Sequence, residues 1–234
     1  MDLFTGTSGF SYKEWKPGFY PEDVPQKGML AYYATRLSAV EINNTFYRLP
    51  KASVLEGWAA QVPEEFRFVL KASRRITHFK RLKEEADEET AYLVKTAGTL
   101  GRRLGALLFQ LPPNFKKDVE RLERFLDGLP AGTPGAFEFR HESWLDDEVY
   151  ELFAGRDQVI VIAETDETER LPDPGAASWG YLRLRKTDYG TEEVGAWAES
   201  IRERGWQTTY AFFKHKDAAE PWTHAERLQG LLSG

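Results

Sequence analysis

The sequence predicts a single-domain (β/α)8 barrel of the TIM type over residues 1–234. Three observations predict it. Eight short β-rich runs recur along the chain, most followed by an amphipathic or charged helical stretch. The runs alternate apolar and polar positions toward their C-terminal ends, whereas inner strands of an open doubly wound sheet read as continuous apolar runs. The length of 234 residues suits one large domain or two small ones, and for a single barrel it is compact, so the connections must be short.

Each element follows in order. Residues 3–8 combine Leu, Phe and Thr, which suit a pleated strand, and 28–37 form the first helix. The second unit is 39–43 with 53–61, and the third is 67–71 with 85–100. Residues 106–111 run into Pro112-Pro113, which ends the fourth strand rigidly, and 119–129 form its helix. The fifth unit is 136–140 with 147–153. Residues 159–164 are the sixth strand. Pro172, Pro174 and Gly175 interrupt the segment after it, so its helix is short or absent. Strand 180–184 with helix 192–204, and strand 209–214 with helix 221–232, complete the barrel.

Composition narrows the function classes. Hydrophobic residues make up 41% and aromatics 14%, enough for a sizeable core and against disorder. The net charge of −6 argues against non-specific coating of nucleic acid, although a local basic patch is compatible with it. The chain has no cysteine, which excludes disulfides, thiolate zinc, iron–sulfur ligation and a cysteine nucleophile. The start, Met1-Asp2-Leu3-Phe4-Thr5-Gly6, has neither a positive nor an apolar leader region. The apolar run 159–163 is far short of the ~20 residues of a membrane span. A cytoplasmic protein with no membrane contact is expected.

The strand ends carry the chemistry. Alternation aims Glu41 and Asn43 of the second strand, Glu138 and Arg140 of the fifth, and Tyr181, Arg183 and Arg185 of the seventh at the barrel axis. Ser8, Lys71, Gln110, Glu164 and Lys214 end the other five strands. Ionised groups inside a barrel are costly unless paired or ligand-bound, and barrel active sites lie at this end. Glu41, Glu138 and Glu164 face Lys71, Arg140, Arg183, Arg185 and Lys214, an excess of cations that suits an anionic ligand. A self-neutralising ion-pair layer without chemistry is the competing account.

Glu138, Arg140, His141 and Trp144 form the densest cluster. Glu138 is the favoured acid/base, His141 a proton carrier and Trp144 a stacking surface for a ring. Glu41, Glu138, His141 and Glu164 resemble the acid and histidine sets of barrel metalloenzymes, yet no closely spaced histidine pair is present. Residues 71–83 hold seven Lys, Arg or His, followed by the acidic run 84–89. Arg74, Arg75, Lys80 and Arg81 could contact a phosphate backbone. A Schiff-base role for Lys71 requires a lowered pKa, which Glu41 or Glu138 nearby would oppose. Phe10, Tyr12, Trp15, Phe19 and Tyr20, with Phe46 and Tyr47, either wall a pocket or plug the loops. No Walker A, G-x-G-x-x-G or G-x-S-x-G motif occurs.

Several blocks resemble the domain-of-unknown-function 72 family, the YecE-like proteins. They are Gly6-Thr7-Ser8-Gly9-Phe10-Ser11-Tyr12 with Trp15 and Phe19-Tyr20-Pro21, and Glu41-Ile42-Asn43-Asn44-Thr45-Phe46-Tyr47. Phe66-Arg67-Phe68 with Lys71, Ile76-Thr77-His78, Gln110-Leu111-Pro112-Pro113-Asn114-Phe115 and Glu138-Phe139-Arg140-His141-Glu142-Ser143-Trp144 continue the pattern. The resemblance covers essentially the whole chain and implies a TIM-like fold, with no activity to transfer. Two strand ends depart from it. The seventh reads Arg183-Leu184-Arg185-Lys186 where Arg-x-His-Gly is common, and the eighth reads Phe212-Phe213-Lys214-His215-Lys216-Asp217 where Asn-Asn is common. Both changes add positive charge.

The expected function is an enzyme acting by acid/base chemistry on an anionic, phosphorylated small molecule. Glu138, His141 and Glu41 are the expected catalytic residues. Asn43, Lys71, Gln110, Arg140, Trp144, Glu164, Arg183 and Lys214 are the expected ligand-binding residues. No cofactor and no dedicated metal are expected. The alternatives are a nucleic-acid-binding module using residues 71–83 and a metal-dependent isomerase or hydrolase.

Overall fold

The computed structural model describes residues 1–156, 158–175, 177–214 and 220–233. Nine parallel strands form one sheet: β1 (Asp2–Ser8), β2 (Ala39–Ile42), β3 (Arg67–Lys71), β4 (Leu104–Gln110), β5 (Gly135–Glu138), β6 (Val159–Ile160), β7 (Ile162–Glu164), β8 (Trp179–Leu184) and β9 (Thr208–Phe213). Their order is β6-β5-β4-β3-β2-β1-β9-β8-β7. The two ends of that order, β6 and β7, are consecutive in the chain and are joined at Val161. The expected sixth strand is therefore one strand that changes partners, pairing with β5 before Val161 and with β8 after it. This break makes nine segments of eight strands and brings the sheet round into a barrel.

Among the described residues, six helices return the chain between strands, α1 (Met29–Tyr33), α2 (Ala52–Ala59), α3 (Asp87–Ala97), α4 (Val119–Asp127), α5 (Asp147–Phe153) and α6 (Thr191–Arg204), and a seventh, α7 (Pro221–Leu232), follows β9. Local chemistry sets their ends. Asp118 accepts from the Arg121 N–H at 3.1 Å and Asp146 from the Glu148 N–H at 3.1 Å, which starts α4 and α5. Gly205 ends α6 with φ 65°, a left-handed turn open to glycine at little cost. The described residues between β7 and β8 form no helix, as the Pro-rich segment leads one to expect.

Two apolar layers follow from strand alternation. Outward residues such as Val40, Leu70, Phe109 and Phe137 pack under the helices. Inward residues Ala39, Val69, Leu108, Ala136, Tyr181 and Phe212 fill the barrel axis. Continuing that inward parity by two residues reaches Glu41, Lys71, Gln110, Glu138, Arg183 and Lys214. The fold therefore delivers polar side chains from six strands to one end of the barrel.

Candidate functional site at the barrel mouth

The floor of the mouth is an ion-pair layer centred on Arg183. Glu41, Glu138 and Arg183 are 0%, 1% and 3% exposed. Arg183 donates Nε to Glu41 Oε2 at 2.8 Å and Nη2 to Glu41 Oε1 at 2.7 Å, and donates Nη1 to Glu138 Oε2. Ser8 Oγ (2.8 Å), Asn43 Nδ2 (3.3 Å) and the Tyr181 hydroxyl (2.7 Å) complete the shell of Glu41. Gln110 Nε2 (2.8 Å), Arg185 Nη2 (3.0 Å) and Arg140 Nε (3.1 Å) complete that of Glu138. Burial alone would raise both carboxyl groups. The Arg183 guanidinium overrides it, helped by Arg185 and Arg140 at Glu138, and both pKa values lie below the ordinary glutamate range.

Above this layer opens a cleft of about 510 Å³. Lys71, Arg140, Arg183, Arg185 and Lys214 supply five cations to its lining. Among the described residues no Asp or Glu lines it. Tyr12, Phe46, Tyr47 and His78 form its aromatic side. Burial pulls Lys71 down to about 8, with Arg183 adding to the shift against the opposing pull of Glu41 and Glu138. Its Nζ lies 4.2 Å from the centre of the Phe46 ring. Burial and the neighbouring Lys71 and Arg140 charges lower His78 to about 4, so this imidazole is neutral at pH 7. Arg185 Nε is buried without a hydrogen-bond partner.

The structure corrects several expectations. Glu138 and Glu41 come together as expected, but every oxygen is occupied and the pair is sealed beneath the arginines. Neither has a proton to give near neutral pH. His141 does not line the cleft; its Nδ1 accepts from the Ser143 N–H at 3.1 Å and caps the turn Glu142–Trp144. Trp144 is fully buried, stacked on Phe139 at 4.8 Å, and donates Nε1 to the Phe115 carbonyl at 2.6 Å. It packs a loop and presents no face to a ligand. Glu164 faces outward. In register it lies opposite Leu184, where it accepts from Trp197 Nε1 of α6 at 3.0 Å and pairs with Lys186 at 3.2 Å. Glu41 and Glu138 were expected to keep the Lys71 pKa up; they do oppose its lowering, but in the fold burial and Arg183 prevail.

Asn43, Lys71, Gln110, Arg140, Arg183 and Lys214 do line the cleft as expected. Arg185, Phe46 and His78 also line it and are absent from the expected ligand set. The inward parity of Arg185 was a usable signal. His78 was marked only by the Ile76-Thr77-His78 block, and no period placed it, because it sits on a π-helical turn, Arg75–Phe79, that follows neither strand nor α-helix spacing. The aromatic opening divides: Trp15, Phe19 and Tyr20 are buried in the loop core against Trp222, whereas Tyr12 reaches the cleft.

The basic segment is partly neutralised. Arg75 and Lys80 both pair with Glu89, Arg81 donates to Asn114 Oδ1 at 3.2 Å, and Arg74 lies between the Tyr47 and Phe79 rings. For the metal alternative, the Arg183 guanidinium occupies the space between Glu41 and Glu138, and Glu164 points elsewhere. Among the described residues no three His, Asp or Glu side chains converge as a metal site. His215, Lys216 and Asp217, which mark one departure from the family pattern, lie outside the described residues. Among the described residues no helix is long and apolar enough to cross a membrane.

Fold and site define a parallel (β/α) barrel with a cationic mouth over a buried Glu–Arg–Glu layer. The chain belongs to the family described as protein of unknown function DUF72, whose model matches residues 4–234. A DUF72 family protein of Thermotoga maritima is 26% identical, with a TM-score of 0.86 and coverage of 100% of both chains. The UPF0759 protein YecE of Escherichia coli is 35% identical over 113 residues, 48% of this chain and 41% of that protein. The UPF0759 protein YunF of Bacillus subtilis is 29% identical over 156 residues, 64% of this chain and 54% of that protein. The matched stretches thus span about half the length of these curated relatives. A sugar phosphate isomerase/epimerase of Parabacteroides distasonis, 10% identical with a TM-score of 0.51 over 98% of this chain and 97% of that one, shares the fold.

Proposed function

We propose that the barrel mouth binds an anionic, phosphorylated small molecule and that the protein is an enzyme acting on it. One observation carries this reading: five cations line a cleft whose lining, among the described residues, includes no Asp or Glu. The two acids below carry two charges against those of Lys71, Arg140, Arg183 and Arg185, so the mouth keeps a net positive field. Arg140 and Arg185 offer N–H groups to a phosphate, and Lys214 adds charge. The buried acids act as positioning residues that hold the arginines. Lys71 and His78, whose proton affinities the site lowers, are the groups able to take part in chemistry near neutral pH.

Thermal shift at low salt, with phosphorylated sugars, their unphosphorylated counterparts and short oligonucleotides, tests the reading. A midpoint rise confined to phosphorylated sugars, lost in Arg185→Leu, supports it. A rise confined to oligonucleotides, abolished by salt and unaffected by Arg185→Leu, would replace it with binding through residues 71–83.

A further inference from the structure

We infer that Lys71 is an amine nucleophile whose Nζ forms an imine with the aldehyde or ketone carbon of the substrate seated at the barrel mouth. The inference rests on the anion-binding reading above and adds the reacting atom.

Placement carries it first. Lys71 is the last residue of β3, faces the barrel axis and lines the cleft. Among the described residues its Nζ has no hydrogen bond and no ion pair, although Glu41 and Glu138 are within electrostatic range. Those carboxylates are closed to it. All four of their oxygens already accept from Arg183, Arg185, Tyr181 and their neighbours. What Lys71 meets is the ring of Phe46. An amine left unpaired beside guanidinium groups is under the conditions that release its proton.

The surrounding charges agree. Burial lowers Lys71 to about 8. Arg183 and Arg140 contribute to that lowering, and Glu41 and Glu138 oppose it. At pH 7 its free-amine fraction then exceeds that of an ordinary lysine by roughly two orders of magnitude. His78 packs edge-on against the same Phe46 ring, centroids 4.9 Å apart. Its Nδ1 lies 2.8 Å from Thr77 Oγ1; in the tautomer where that hydroxyl donates, Nε2 of the neutral imidazole holds the proton a carbonyl oxygen would accept.

The step balances without a redox partner. The Nζ lone pair forms the C–N bond while the carbonyl π pair moves to oxygen. One proton passes from nitrogen to that oxygen, and a second from solvent lets it leave as water. The iminium keeps one N–H and a positive charge, which draws electrons from the adjacent carbon and loosens its C–H or C–C bond.

The test is reductive trapping. The protein is incubated with glycolaldehyde phosphate and sodium cyanoborohydride, and labelled lysines are located by peptide mass. Parallel arms use unphosphorylated glycolaldehyde and inorganic phosphate as competitor. Lys71 is expected to be labelled at least tenfold faster than exposed Lys13 or Lys51 at pH 7. Phosphate is expected to suppress it, and a folded Lys71→Arg variant to lose it. Labelling of Lys71 that phosphate does not suppress would sustain the imine and reject the anion site. A phosphate-induced thermal shift, with Lys71 labelled no faster than exposed lysines, would overturn the imine and leave the anion site standing. Neither shift nor selective labelling would overturn both.

Discussion

Arg183 grips Glu41 through two parallel hydrogen bonds, Nη2 to Oε1 at 2.7 Å and Nε to Oε2 at 2.8 Å, inside the barrel. The remaining guanidinium nitrogen reaches Glu138. One cation thus bridges acids from β2 and β5, with Arg185 and Arg140 supplying further positive charge at Glu138. Arg183→Leu leaves both carboxylates buried without it, and Arg185 and Arg140 satisfy only Glu138. A loss of about 3–5 kcal/mol in unfolding free energy is expected at pH 7, measured by urea denaturation. A variant as stable as the wild type would show that the layer does not hold the fold together.

The same layer sets the acid limb of stability. Glu41 and Glu138 have folded pKa values below the ordinary 4.5 of the unfolded chain. Their contribution is complete above about pH 4.5 and drains as pH falls through the folded values, because the unfolded chain takes up protons first. Urea midpoints measured across that range should fall with acid, and the fall should flatten in Glu138→Gln.

Lys71 has the opposite sign. Its folded value of about 8 lies below the ordinary 10.5, so it penalises the fold at pH 7 and the penalty fades as pH rises through 8. Lys71→Met should raise stability at pH 7 by about 1–3 kcal/mol while weakening phosphate binding. The difference from wild type should shrink at pH 10, in paired urea titrations.

Trp144 and Glu164 separate packing from ligand contact. Trp144→Phe removes the donor to the Phe115 carbonyl and should cost about 1–3 kcal/mol with phosphate affinity unchanged. Glu164→Gln should likewise leave affinity unchanged by calorimetry. A tenfold loss in either would return that residue to the mouth.

Gly6 marks a close approach between strands. A Cβ there would meet the Ala39 carbonyl oxygen at 1.8 Å, where the Tyr33 hydroxyl already donates to that oxygen at 3.0 Å. Backbone cannot yield as a side-chain tip does. Gly6→Ala should cost about 1–3 kcal/mol or more in the thermal or urea transition.

Much of the fold was legible because periodicity reports on local geometry. Helices α5 and α7 occupy the expected 147–153 and 221–232. The inward set was legible wherever a polar residue marked the strand's parity, as Glu41 does in β2 and Arg183 in β8. Parity failed at 159–163, where five apolar residues in a row carry no mark of which face is inward. Val159 and Val161 point inward, and Glu164 consequently points to α6. Trp144 and His141 misled for another reason. They stand beside the Glu138 strand end in sequence, but the chain turns there and aims them at their own loop.

By itself the sequence determined the barrel and the polar residues that alternation aims at its axis. It also determined the excess of cations among them. Both follow from side-chain period and charge, which are local properties of the chain. Tertiary structure alone decided which charges cancel. Pairing across the barrel, between residues as distant as Glu41 and Arg183, consumes both acids. It leaves Lys71 without a carboxylate partner because the Coulomb energy of a buried pair depends on separation and burial. Residue order along the chain specifies neither.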